Sequence, residues 1–276
     1  MATTVRRGTP IAVMATRSAR ARPPSPHSLR NAVAVAPRSP RAAASASNYS
    51  ASRYSSFMSE LDAVLQSAAR LQRLVPDAVL VGGSAAAYHA RHRDSYDHDH
   101  VVRDLEQRFG AVLDALESDP EWVFNRSTPG KVILGELGGI EAGVRQMIRT
   151  VPLEVEDVSL PSGQVIRVPT AEEALRIKAW LIIRRNQVRD YLDVAALSGE
   201  FGIDWAATIL RNIDAFYADV NTGPDSVASQ VLRQLSEPRP KDSRVTMQLP
   251  GYKGLRAPWT DWDRVVQQCR AIADAM

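Results

Sequence analysis

Two stretches decide the fold: Ala78-Val79-Leu80-Val81-Gly82-Gly83-Ser84-Ala85-Ala86-Ala87-Tyr88-His89-Ala90, and behind it Arg93-Asp94-Ser95-Tyr96-Asp97-His98-Asp99. The apolar run over 78–81 predicts a short buried strand. Two glycines and a serine stop it, and the alanine-rich segment that follows is good helix material. A second strand is expected from about Tyr96 to Val102. On it Arg93, Ser95, Asp97 and Asp99 fall at alternate positions and share one face; Asp94, Tyr96, His98 and His100 take the other. Carboxylates two residues apart on a strand sit about 6.5–7 Å apart at Cα. Their side chains can converge on two divalent ions about 3.5–4 Å apart, the spacing of two-metal phosphoryl chemistry. Asp is disfavoured in strands, and like charges on one face repel unless a cation stands between them. The glycines, for their part, let an anion approach N–H donors at a helix N-terminus. Taken singly, an exposed polar loop over 94–100 and a ligand-free glycine turn explain the two pieces equally well. Their order in the chain favours a site.

Working outward, Leu61, Val64, Leu65, Ala68, Leu71 and Leu74 repeat at helical spacing from Met58 until Pro76. Beyond the acidic strand, Leu105–Glu117 reads as a helix. Strands are expected over Trp122–Phe124, Lys131–Leu137, Ile140–Met147, Leu153–Val158 and Val165–Val168, with Pro161-Ser162-Gly163 as a hairpin turn. Thr170 and Glu173 form a capping box that opens a helical half: Ala171–Arg185, Val188–Ser198, Trp205–Asp219, Ser226–Leu235 and about Asp261–Ala275. The expected class is α/β (α+β): a mixed-sheet domain over 58–170, then a helical domain over 171–276.

Charge is split along the chain. Residues 1–57 hold nine Arg and no Asp, Glu or Lys, leaving 25 of the 34 basic residues against 31 acidic ones in the rest. Rich in Ala, Ser, Pro and Arg, this segment has no apolar periodicity, and a disordered basic extension is expected. It reads as an organellar transit peptide, as a nucleic-acid-binding arm, or as translated upstream sequence ahead of a start at Met58. The single cysteine, Cys269, excludes an intrachain disulfide framework and fits a reducing compartment. No apolar run approaches a membrane span, so a soluble, cytoplasmic protein is expected, organellar if the extension is a transit peptide.

The paired motifs resemble those of the DNA polymerase β-like nucleotidyltransferases, and within them the AbiEii/MenT toxins of bacterial toxin–antitoxin systems. Gly82, Gly83 and Ser84 match that family's glycine motif. Arg93, Ser95, Asp97 and Asp99 match its Arg-x-Ser-x-Asp-x-Asp, with 13 residues between Gly83 and Asp97. Lys178 and the stretch Arg189-Asp190-Tyr191-Leu192-Asp193 match its helical motifs, so the resemblance spans roughly Val79–Leu197. It implies transfer of NMP from an NTP to an acceptor such as a tRNA 3′ end, an antitoxin partner and no membrane. Asp97 and Asp99 would hold two Mg²⁺, or Mn²⁺, with Glu141 as the third carboxylate and Glu154 and Glu156 as alternatives. Gly82, Gly83, Ser84, Arg93, Ser95 and Lys178 would bind the nucleotide. Asp193 would orient Lys178 or the substrate.

Other readings stand beside these. Lys178 lies on a largely apolar helix, where a lysine can also snorkel to solvent. Asp190 and Asp193 share a helix face and can pair with Arg184, Arg185 or Arg189. His89, His92, His98 and His100 fall within twelve residues, raising a separate metal site, although His98 and His100 face away from the Asp side. Trp180, Trp205, Phe216 and Tyr217 are expected in the core. The acceptor is alternatively a small molecule such as an antibiotic, or the protein is a non-catalytic nucleotide-binding interaction protein.

Overall fold

A computed structural model of the chain describes residues 47–276, with side chains from Glu60 onward. Of the basic extension, residues 1–46 lie outside the described residues. Helix α1 (Ser47–Leu74) starts well before Met58, a correction to the expected boundary. Nothing between Pro40 and Pro76 forbids it, since that stretch holds neither proline nor glycine.

Then come β1 (Val79–Val81), α2 (Gly82–Ala90), β2 (Asp97–Val102), α3 (Leu105–Glu117), β3 (Trp122–Thr128), β4 (Val132–Leu137) and β5 (Ile140–Gln146). The five strands form one sheet in the order β1-β2-β5-β4-β3, with β2 and β5 parallel and every other pair antiparallel. Helices α1 and α3 cover one face. Leu71, Val102, Leu105, Leu116, Ile133, Leu137 and Val144 are buried there, each side chain contributing about 1.5–3 kcal/mol. The opposite face carries the charged residues of β2 and β5.

A hairpin of β6 (Val155–Ser159) and β7 (Val165–Pro169) leads into the helical half: α4 (Ala171–Arg185), α5 (Val188–Phe201), α6 (Ile203–Arg211), α7 (Asp214–Tyr217), α8 (Val227–Ser236) and α9 (Trp262–Ala275). The class is the expected one, a mixed-sheet α/β half followed by helices. Both halves belong to one compact unit, in which α2 packs against α4 and α5. Trp180 and Tyr217 stack at 4.9 Å in the helical core, with Trp205 and Phe216 packed against it.

Three local readings need correction. The single helix expected over Trp205–Asp219 breaks after Arg211, and the Asp214 carboxylate accepts from Val227 N (2.6 Å) and Ala228 N (3.1 Å) at the start of α8. Strand β3 continues to Thr128 through a bulge between Phe124 and Arg126. The capping box is half formed: Thr170 Oγ1 accepts from Glu173 N at 3.2 Å, a cap worth about 1 kcal/mol. Glu173, fully buried, turns instead to the guanidiniums of Arg149 (2.7 Å) and Arg176 (3.2 Å). Two cations hold a buried carboxylate more strongly than one backbone N–H.

Candidate active site

Strand β2 alternates as its sequence requires. His98, His100 and Val102 are buried under α1 and α3, while Asp97, Asp99 and Val101 stay partly open on the other face. Register fixes their neighbours. Asp97 pairs across the parallel ladder with Glu141, and Glu141 with Glu136 on β4. Asp99 pairs with Gly143, Gly143 with Leu134, and Leu134 with Arg126 on β3. Gly143 is the floor between them: a Cβ there would lie 2.7 Å from Asp99 Oδ1 and 3.0 Å from Leu134 Cδ2. Over this floor opens a cleft of about 320 Å³, whose charged lining is Asp97, Asp99, Arg126, Glu141 and Arg145. Asp99 Oδ1 accepts from Arg145 Nε at 3.1 Å, and Asp97 Oδ1 accepts from Ser95 Oγ at 3.3 Å.

Of the three acids considered as a third carboxylate, Glu141 alone stands beside Asp97. Glu154 and Glu156 lie at the separate β6–β7 hairpin, where Glu154 pairs with Arg176. The donor set of the cleft is oxygen only, the chemistry that suits Mg²⁺ or Mn²⁺ rather than a soft metal. Among the described residues no three His, Cys, Asp or Glu side chains converge closely enough to hold a metal ion. Arg145 is the cation that neutralises Asp99 here. The separate histidine site does not form either. His89 bonds Pro169 O (2.8 Å), His92 bonds Asp193, and His98 bonds Ser67 Oγ (3.0 Å) across the covered face.

The glycine motif follows β1 directly. Gly82 has φ +78°, a conformation few L residues tolerate, and the Asp99 side chain lies 3.4 Å from where its Cβ would be. Gly83 is covered: a Cβ there would lie 2.7 Å from Arg93 Nη2 and 3.0 Å from Ser95 Oγ. The buried Ser84 hydroxyl donates to the Asp97 carbonyl and lies 3.0 Å from Ser95 Oγ, tying α2 to the acidic strand. The alternation expected to put Arg93 and Ser95 on one strand face with Asp97 and Asp99 does not extend to them. The strand begins only at Asp97, and both residues belong to the loop before it. Arg93 turns into the interior.

Its destination is Asp193. That carboxylate, fully buried, accepts from Arg93 Nε (2.9 Å) and Nη2 (3.1 Å), from His92 Nε2 (2.8 Å) and from Lys178 Nζ (2.6 Å). Burial alone would raise its pKa, but Arg93 and Lys178 hold it well below the usual carboxylate range. Burial lowers the pKa of His92 despite its bond to Asp193. The cluster thus sets one carboxylate between Arg93 and Lys178, and it clamps the 92–95 loop and α2 to α4 and α5. Lys178 and Asp193 are brought together here, behind the carboxylate cleft and outside its lining. Asp190 instead pairs with Arg185 (2.6 Å).

A second cavity, of about 480 Å³, lies between the sheet and α4–α5. Gly82, Arg145, Arg149, Trp180, Arg185 and Arg189 line it, and Arg145 separates it from the carboxylate cleft. Among the described residues, the buried donors Arg149 Nη1, Trp180 Nε1 and Arg189 Nε have no hydrogen-bond partner. The motifs alone did not single out this cavity. Arg189 belongs to a matched motif, whereas Arg145 and Arg149 lie on and just after β5 with no spacing to flag them.

No family profile matches the chain. It is 30% identical over 236 residues to the heme uptake protein MmpL11 of Mycobacterium tuberculosis, a match covering 77% of this chain and 22% of that protein. The chain thus spans about a fifth of the length of the curated relatives it matches. Among the described residues no helix is long and apolar enough to cross a membrane. Among solved structures, JHP933 from Helicobacter pylori superposes with a TM-score of 0.45 at 14% identity, over 77% of this chain and 88% of that one. MenT4, a nucleotidyltransferase toxin from Mycobacterium tuberculosis, gives 0.44 at 18% identity, over 78% and 83%. Likeness at that level does not carry over an activity, so function rests on the site.

Proposed function

We propose that this chain is a nucleotidyltransferase that moves NMP from an NTP to an acceptor hydroxyl, with a tRNA 3′ end as the acceptor. The observation that carries this reading is the juxtaposition of Asp97 and Asp99 on one strand face with Glu141 in register and Gly82 against Asp99. In the reaction the acceptor oxygen bonds to the α-phosphorus, the bond to the β-phosphate breaks, pyrophosphate leaves, and the hydroxyl proton passes to a cleft carboxylate. Asp97, Asp99 and Glu141 would supply the oxygen ligands for Mg²⁺ only by drawing closer together than they stand here, with Arg145 released from Asp99; the ion would then neutralise charge on the attacking and leaving oxygens.

The chain's own residues supply the rest. Gly82, the first residue of α2, lines the second cavity, where Arg145, Arg185 and Arg189 would provide positive charge for a triphosphate and Trp180 an indole N–H. Positioning and a preset electrostatic field are the main sources of rate in such chemistry. Lys178, Arg93 and Asp193 act from behind, holding Ser95 and the head of α2 against the acidic strand. As a toxin-like transferase the chain would have a cognate antitoxin as partner.

The test supplies each α-labelled NTP with Mg²⁺, first with total RNA and then with small hydroxyl-bearing acceptors, antibiotics included. Label in a tRNA-sized band supports the reading as stated. Label on a small molecule alone moves the protein to the small-acceptor class. Bound NTP with no transfer to any acceptor supports the non-catalytic alternative.

A further inference from the structure

The far wall of the carboxylate cleft is built by an irregularity in edge strand β3. Between the Phe124–Gly135 and Arg126–Leu134 pairs the register shifts by one residue, and Asn125 has no partner. Bulges re-aim side chains, and here Asn125 and Arg126 both line the cleft. Arg126 stands at the end of the row Asp99–Gly143–Leu134–Arg126, three strand spacings or about 14 Å from Asp99 at Cα. Among the described residues its side chain has neither carboxylate partner nor hydrogen bond, unlike that of Arg145. Arg126 is exposed and lines the open cleft across from three carboxylates.

We propose, resting on the transferase reading, that Asn125 and Arg126 form the acceptor subsite and select a phosphodiester-linked strand end over an isolated small molecule. Arg126 holds the phosphate next to the reactive terminal nucleoside, and Asn125 hydrogen-bonds its sugar or base edge. The terminal hydroxyl then reaches across the Gly143 floor toward Asp97 and Asp99. A guanidinium suits this task because its planar fork binds phosphate oxygens bidentately. The repulsion between three carboxylates and a polyanion is offset where the strand crosses the bulge. A cationic small acceptor would meet repulsion from Arg126 at the same place.

Arg126→Ala and Arg126→Lys, with the wild-type chain, are assayed for transfer to an RNA oligonucleotide and to a single nucleoside, and for binding of labelled NTP without acceptor. Expected for Arg126→Ala is a rise in the oligonucleotide KM of about tenfold, with the salt dependence of acceptor binding reduced by about one unit of slope. The loss for the single nucleoside is smaller than that for the oligonucleotide, NTP binding without acceptor and the melting temperature change little, and Arg126→Lys recovers part of the loss. An oligonucleotide KM and salt slope unchanged in Arg126→Ala overturn the subsite while leaving the transferase reading intact. Equal loss for nucleoside and oligonucleotide also overturns it. No transfer by the wild-type chain overturns both.

Discussion

Asp193→Asn removes one charge without changing shape, at a buried position where the carboxylate meets Arg93, Lys178 and His92. Removing one partner of a buried ion pair costs about 3–5 kcal/mol, because the remaining charge is left without water or counter-ion. Here two cations are left together, so the upper part of that range is expected. Lys178→Met is the informative contrast. It leaves Asp193 held by Arg93 through two hydrogen bonds and by His92, one anion to one cation, and loses a single charged hydrogen bond worth about 1.5–3 kcal/mol. For a body of this size, 1 kcal/mol moves the melting temperature by about 2–4 °C, so a loss of about 4–5 kcal/mol in Asp193→Asn should lower it by about 8–20 °C. Thermal and urea unfolding of both variants decide the matter. An Asp193→Asn chain as stable as the wild type, or less perturbed than Lys178→Met, would refute the view that this carboxylate is the anchor of the 92–95 loop.

Other outcomes follow from particular contacts. Gly143→Ala places a methyl group 2.7 Å from Asp99 Oδ1, so transfer should fall at least tenfold with little change in melting temperature; wild-type turnover would remove Gly143 as the floor of the site. The folded-state pKa values of His89 and His92 lie below the unfolded value of about 6.5, by burial. Their contribution to stability is therefore present above that pH and lost as pH falls through the folded values; urea midpoints from pH 7.5 to 5 should decline, less steeply in His89→Gln. Ser95 is buried between Ser84 and Asp97, so Ser95→Glu should lose both stability and transfer while Ser95→Ala keeps measurable activity. Equal behaviour of the two variants in melting and transfer would show that the hydroxyl's position does not matter.

Much of this arrangement is legible in the sequence because its signals are local. Alternation along Asp97–Val102 gives the facing of both the carboxylates and the histidines, and Gly82-Gly83-Ser84 marks the start of α2 one residue beyond β1. What escapes is set by contacts distant in sequence. Arg93 leaves the expected strand face because Asp193, a hundred positions away, accepts two of its hydrogen bonds. Asn125 and Arg126 sit in a polar string, Asn125-Arg126-Ser127-Thr128, that shows no strand alternation. Only the ladder to β4 makes it one. The break after Arg211 has a similar origin, since Asp214 is drawn to the N-terminus of α8.

The central claim is that Asp97 and Asp99 form a working pair. Its most direct measurement is label transfer from NTP by Asp97→Asn and Asp99→Asn chains beside the wild type, with melting temperatures recorded on the same preparations. Exposed pairs such as Asp99–Arg145 contribute little to stability, and removing one of two like charges on a strand face relieves repulsion. The account therefore predicts transfer reduced to background in both variants, with melting temperatures equal to or above that of the wild type. Transfer at the wild-type rate by either variant would contradict it.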